Sequence, residues 1–139
     1  MPIVCKLLIG VQAQQDLEEV WASDPSAAGV LEALLERLKT DQQLLDSLTV
    51  QGFGAYGTGG IHVDTWVAQQ RAGRNLWRLK HWELEKQGKR YRMVYALDPR
   101  ISRYYVLGIF LRDFNYDISD PRTLRVLNAY DQLGIPPYR

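Results

Sequence analysis

Two arginines stand in and beside the most strand-like segments of this 139-residue chain. The stretch KRYRMVYALDPRISRYYVLGIFLRDFNYD holds Arg92 inside YRMVYAL and Arg112 at the exit of YYVLGIFL. An arginine buried in an apolar strand is costly unless a partner meets it. Upstream, Arg78 and Lys80 alternate on one face of LWRLKHW and can lie beside Arg92 across a sheet. Around them Arg71, Arg74, Arg78, Lys80, Lys86, Lys89, Arg90 and Arg92 are offset only by Glu83 and Glu85. Trp77, His81, Trp82 and Tyr91 are interleaved with these cations. Basic groups neutralise phosphates and aromatic rings stack on bases, so Arg78, Lys89, Arg90 and Trp82 are candidates to bind nucleic acid. The competing reading is a solvated strand face with core aromatics, and arginines paired to Asp98, Asp113 or Asp117 would support a structural role for the basic residues.

The charge is unevenly divided. Residues 1–70 hold 3 basic and 9 acidic residues, net −6, and residues 71–139 hold 14 basic and 7 acidic, net +7, which together give the overall +1. Such asymmetry marks a nucleic-acid surface or a molecule with one face for a partner. The length suits one domain over residues 1–139 with one core. No apolar run approaches the roughly 20 residues that span a bilayer. The first ten residues, MPIVCKLLIG, lack the features of a secretion signal, so a cytoplasmic protein that does not engage a membrane is expected. The single cysteine, Cys5, lies in an apolar run and reads as a buried, inert thiol. Two histidines and one cysteine without HxxxH or CxxC spacing make no metal-ligand set, and no cofactor is expected.

The elements that must position these residues follow from periodicity. Residues 3–9 predict a strand and residues 12–21 a helix with Leu17, Val20 and Trp21 at helical spacing. Ser23 or Asp24 can cap a second helix with Pro25 at its first position, and Val30, Leu31, Leu34, Leu35 and Leu38 form its apolar stripe. Thr40 or Asp41 can start a further turn carrying Leu44, Leu45 and Leu48. GFGAYGTGG at 52–60 matches neither phosphate-loop pattern and reads as a flexible loop. Residues 62–67 predict a short strand and 68–74 a polar loop. A meander follows, with strands at 75–85, 90–97 and 103–112 joined by KQGK and DPRIS. Asp120 caps a last helix with Pro121 at its first position, running to about Leu133, and Gly134 ends it. The expected fold is α+β: an N-terminal strand and two to three helices packed on a curved antiparallel sheet, with an extra C-terminal helix.

The order strand, helix, helix, antiparallel meander resembles the RelE/ParE toxin superfamily of bacterial toxin–antitoxin systems. LWRLKHW is similar to the family's strand after the helices, YRMVYALD to its arginine-bearing strand, and YYVLGIFLRDFNYD to its last core strand with a basic and aromatic tail. The glycine-rich insertion and the helix after Asp120 exceed the usual small toxin. The resemblance implies a ribosome-dependent mRNA endoribonuclease that inhibits translation without a metal, with mRNA on the ribosome and a cognate antitoxin as partners. In that chemistry a ribose 2′-hydroxyl attacks the adjacent phosphodiester, which needs charge stabilisation, a base and an acid. By resemblance Arg92 meets RNA phosphate. Arg92 and Arg112, with Lys80, suit the charge-stabilising role, since arginine stays cationic and forks onto phosphate.

The acid and base are less defined. His81 is the obvious titrating group, on the strand face opposite Arg78 and Lys80, where a structural role competes. Glu83 and Glu85 share its face. Tyr116 matches the family's terminal tyrosine with a one-residue slip, and Asn115, which cannot transfer a proton, stands where some members carry histidine. Tyr116 can still stack on a base. Two alternatives stay open: a ParE-like toxin that binds a protein such as DNA gyrase without hydrolysis, and a non-toxic RelE-like domain of other use. An antitoxin would wrap an amphipathic segment over the toxin, and Leu31, Leu35 and Leu38 are candidates for an apolar groove.

Overall fold

Asp24 and Asp41 punctuate the first half of the chain. The Asp24 carboxylate accepts the Ala27 N–H at 3.2 Å, with Pro25 in the first helical position, and so separates α1 (Val11–Ser23) from α2 (Pro25–Thr40). Asp41 does the same for α3 (Gln42–Asp46) through the Leu44 N–H at 3.2 Å. A computed structural model describes residues 5–57, 59–111 and 119–137. Before α1 comes β1 (Lys6–Ile9) and after α3 a short 3-10 turn, Ser47–Thr49. Then follow β2 (Ile61–Thr65), α4 (Val67–Arg71), β3 (Leu76–His81), α5 (Trp82–Lys86), β4 (Tyr91–Asp98), β5 (Arg103–Leu111) and α6 (Pro121–Gln132).

The strands form one sheet in the order β1-β5-β4-β3-β2. β1 joins β5 in parallel, and the other pairs are antiparallel. Strand alternation then builds two cores. Leu79, Met93 and Tyr95 face α1 and α2, whose Leu17, Val20, Leu31, Leu35 and Leu38 bury against them. Leu76, Val94, Ala96 and Phe110 face the other way and pack with Val126, Leu127 and Tyr130 of α6. The fold is α+β, with helices on a mixed sheet and the C-terminal helix on the opposite face from α1 and α2. No helix among the described residues is long and apolar enough to cross a membrane.

A bulge locks β5 to the helices. Val94 pairs with Gly108 but Tyr95 with Val106, so Leu107 is an extra residue. The shift turns Ile109 toward α1. Its N–H donates to the buried Asp16 carboxylate at 3.0 Å. Asp16 also accepts from Arg125 of α6 at 2.6 Å, which ties α1, β5 and α6 together. Burial raises the Asp16 carboxyl above the usual carboxylate range, against the pull of Arg125 and of the Ile109 amide.

Three expected element bounds are corrected. The strand expected over 75–85 stops at His81 and the chain turns into α5, so Glu83 and Glu85 do not alternate with His81 along one strand. The physical cause is local: His81 Nδ1 accepts the Glu83 N–H at 3.2 Å, and Gly88 at φ 76° reverses the chain after α5. The polar loop expected at 68–74 begins as α4, and β2 ends at Thr65, because the Trp66 carbonyl accepts from the Gln69 and Gln70 amides. Leu31, Leu35 and Leu38 are buried against the sheet, as the core-packing reading of that stripe expects, and offer no groove to a partner. The glycine-rich stretch is a loop, as expected, whose described residues form backbone-bonded turns, with Gly52 joined to Val63 and Gly57 to Gly54.

Candidate functional site

On the α6 face of the sheet, the apolar layer gives way to a polar row. Ile61, Val63, Leu79 and Met93 point to α1 and α2, so their strand neighbours His62, Asp64, Arg78, Lys80 and Arg92 share the other face. His62 pairs with Lys80, Asp64 with Arg78, and Arg92 with Phe110. The β3–β4 register, in which Leu79 pairs with Met93, brings Lys80 beside Arg92 one step further along. The expected neighbourhood of Arg78, Lys80 and Arg92 is therefore present across β3 and β4.

Arg92 is buried and meets its partner in α5. Its Nη1 donates to the Glu85 carboxylate and, at 3.0 Å, to the Tyr91 carbonyl. Glu85 is the functional candidate that the strand reading placed on the wrong face. Only the turn after His81 carries it over to Arg92. Lys80 holds its ammonium 4.9 Å from the centroid of the Trp82 ring, a cation–π distance. Trp82 in turn stacks on His62, centroids 5.6 Å apart and planes within 4°. Its indole N–H donates to the Gly54 carbonyl at 2.8 Å, which fixes both the ring and the glycine-rich loop. Asp64 is held from the far side, accepting from Gln51 Nε2 at 2.8 Å, while Gln51 accepts the Thr65 N–H. His62 Nε2 lies 3.6 Å from Asp64 Oδ2, and His62 Nδ1 is buried without a hydrogen-bond partner. Sequence reasoning had passed over His62, although its alternation with Ile61 and Val63 marks it as facing away from the helical core.

Other expected site residues lie elsewhere. His81 caps α5 on the side of α2, where burial first, and then the Arg37 charge, lower its pKa against the opposing pull of Glu83. The structural reading of that residue is the one its geometry fits. Lys89 pairs with Asp24 at 3.1 Å, at the start of α2 and away from Arg92. Arg90 is exposed. Trp82 is in place on the polar face, with its ring already engaged by His62 and Lys80. Arg112 and Tyr116 lie outside the described residues, as do Asp113, Asn115 and Asp117.

The second half of the chain spends much of its positive charge internally. Arg74 pairs with Asp131, Arg100 with Asp98, and Arg122 with Asp120. Lys89 and Arg125 reach back to Asp24 and Asp16 of the acidic half. The net charge of +7 is thus not seven free cations on one surface. Among the described residues, no three His, Cys, Asp or Glu side chains are grouped to hold a metal ion. Cys5 is half-buried, and burial raises its thiol pKa.

No family model matches this chain, and neither a curated protein nor a solved structure matches it.

Proposed function

We propose that this chain is a RelE-like toxin, a ribosome-dependent endoribonuclease that cuts mRNA and so inhibits translation. The observation that carries the reading is the polar row that sets Lys80 beside Arg92, with the Glu85 carboxylate on the guanidinium. An RNA backbone laid on this row meets a base and a charge stabiliser already in hydrogen-bond contact. Glu85 takes the proton of the ribose 2′-hydroxyl. Arg92 and Lys80 hold the phosphoryl oxygens as negative charge grows on them, an effect worth roughly 10²–10³ in rate per donor. The 2′-oxygen bonds to phosphorus and the bond to the 5′-oxygen breaks. The products are a 2′,3′-cyclic phosphate and a 5′-hydroxyl. The family resemblance adds Arg112 and Tyr116 to this site, and a cognate antitoxin as the partner that silences it.

Purified protein added to a reconstituted translation reaction tests the reading. Cleavage of ribosome-bound but not naked mRNA, lost in Arg92→Ala, is expected. Uncut mRNA and undiminished translation contradict it. A second reading, a non-toxic RelE-like domain whose basic residues are structural, draws on the internal pairing of so many cations, Arg100 with Asp98 among them. Intact mRNA, undiminished translation and undisturbed supercoiling select it, whereas inhibited supercoiling with intact mRNA selects a ParE-like protein that binds a target such as DNA gyrase without hydrolysis.

A further inference from the structure

We infer that His62 is a catalytic residue of the same site, the acid that protonates the leaving 5′-oxygen; this rests on the ribonuclease reading above. Four observations converge on it. His62, Lys80 and Arg92 occupy one row on adjacent strands, so the His62 position and the Arg92–Glu85 pair flank the Lys80 position on β3. Strands are about 4.8 Å apart, which separates the two ends of the row by about 10 Å. A phosphodiester attacked in line, with one hydrogen bond at each end, spans about 9 Å. Base and acid at the two ends, with a cation between them under the phosphate, is the spacing this reaction requires.

The ring is also held as a working group is held. Trp82 stacks flat on it, and the Gly54 carbonyl fixes Trp82. Asp64, itself pinned by Gln51, stands 3.6 Å from Nε2, beyond hydrogen-bond length. The charged groups facing the ring are Asp64 on its own strand and Lys80 on β3; from α5 it meets the Trp82 ring.

Finally, among the described residues nothing hydrogen-bonds either ring nitrogen of His62. Nδ1 is buried and unpartnered, and Nε2 has only the distant carboxylate. A histidine kept for structure is ordinarily satisfied by its neighbours, as His81 is by the Glu83 amide. In the proposed step the 2′-hydroxyl proton goes to Glu85, the P–O5′ bond breaks, and the 5′-oxygen takes a proton from His62. The two residues end with exchanged protonation states that solvent resets.

The test compares two ribosome-bound mRNAs, one ordinary and one with sulfur in place of the bridging 5′-oxygen at the cut position. A thiolate leaves without protonation, so only the oxygen substrate needs the acid. His62→Gln is expected to slow cleavage of the oxygen substrate by about 10²–10⁴-fold. The same variant should cut the sulfur substrate close to the parental rate. Equal slowing on both substrates, or no slowing on either, overturns the inference and leaves the ribonuclease reading standing. A parental protein that cuts neither substrate overturns both. If His62→Gln lacks a cooperative thermal transition, Asp64→Asn carries the comparison. It is expected to slow only the oxygen substrate, and equal slowing on both again overturns the role.

Discussion

Removing Arg92 should unfold this protein more readily and not merely inactivate it. The Arg92 and Glu85 side chains are 10% and 16% exposed, so deleting one leaves the other charge largely out of water. Breaking a buried pair costs about 3–5 kcal/mol, and the residual exposure places Arg92→Ala near about 3 kcal/mol. For a domain of this size that lowers Tm by about 10 °C. Glu85→Ala should cost a similar amount, because it leaves a buried guanidinium with only the Tyr91 carbonyl. The double variant Arg92→Met, Glu85→Leu replaces both charges with apolar groups and should recover most of the loss, since such replacements are often neutral or better. The assay is thermal denaturation of the parent, the singles and the double at pH 7, with RNA cleavage measured at 25 °C where each variant is folded. An Arg92→Ala protein melting within about 2 °C of the parent, less than about 1 kcal/mol, refutes the pair and the site built on it.

Asp98, held below the usual carboxylate range by the Arg100 guanidinium and amide, contributes stability above its unfolded pKa that is lost as pH falls through its lower folded value. Asp98→Asn should therefore melt lower than the parent at pH 7, and a pH series from neutral into the acid range should show the difference shrinking. Gly108→Ala places a Cβ 2.3 Å from the Phe110 ring, which is confined beneath Arg125 at 5.0 Å, and should cost about 1–3 kcal/mol by overpacking in a urea titration. Because so many cations are paired internally, RNA binding should follow salt with a log–log slope of about −2, equivalent to about three phosphates on a single strand, and a slope beyond about −5 contradicts that pairing.

Where local chemistry decides the structure, the sequence was readable. Asp24-Pro25 and Asp120-Pro121 start helices through side-chain caps that lie within three residues, and both are found in place. The apolar stripe of α2 and the alternation of β3, β4 and β5 likewise assign their buried faces. His81-Trp82-Glu83-Leu84-Glu85 defeated this approach because its apolar residues alternate as in a strand. The His81 cap and the Gly88 reversal outweigh that pattern, and with them Glu85 moves to Arg92. The parity of His62 and Asp64 was visible in IHVDT, but not that β2 would pair with β3 and set His62 beside Lys80. Ion pairs across long separations were out of reach for the same reason: Lys89 meets Asp24 and Arg125 meets Asp16 only after the sheet has closed on the helices.

The end group left on cleaved mRNA tests the central claim most directly. Attack by the ribose 2′-hydroxyl, with Glu85 as its base, predicts a 2′,3′-cyclic phosphate on the upstream fragment and a 5′-hydroxyl downstream. It also predicts that a single 2′-deoxy nucleotide at the cut position abolishes cleavage there. Mass spectrometry of fragments from a reconstituted translation reaction reads both. A 3′-hydroxyl with a 5′-phosphate, or cleavage undiminished at the deoxy position, would contradict the account.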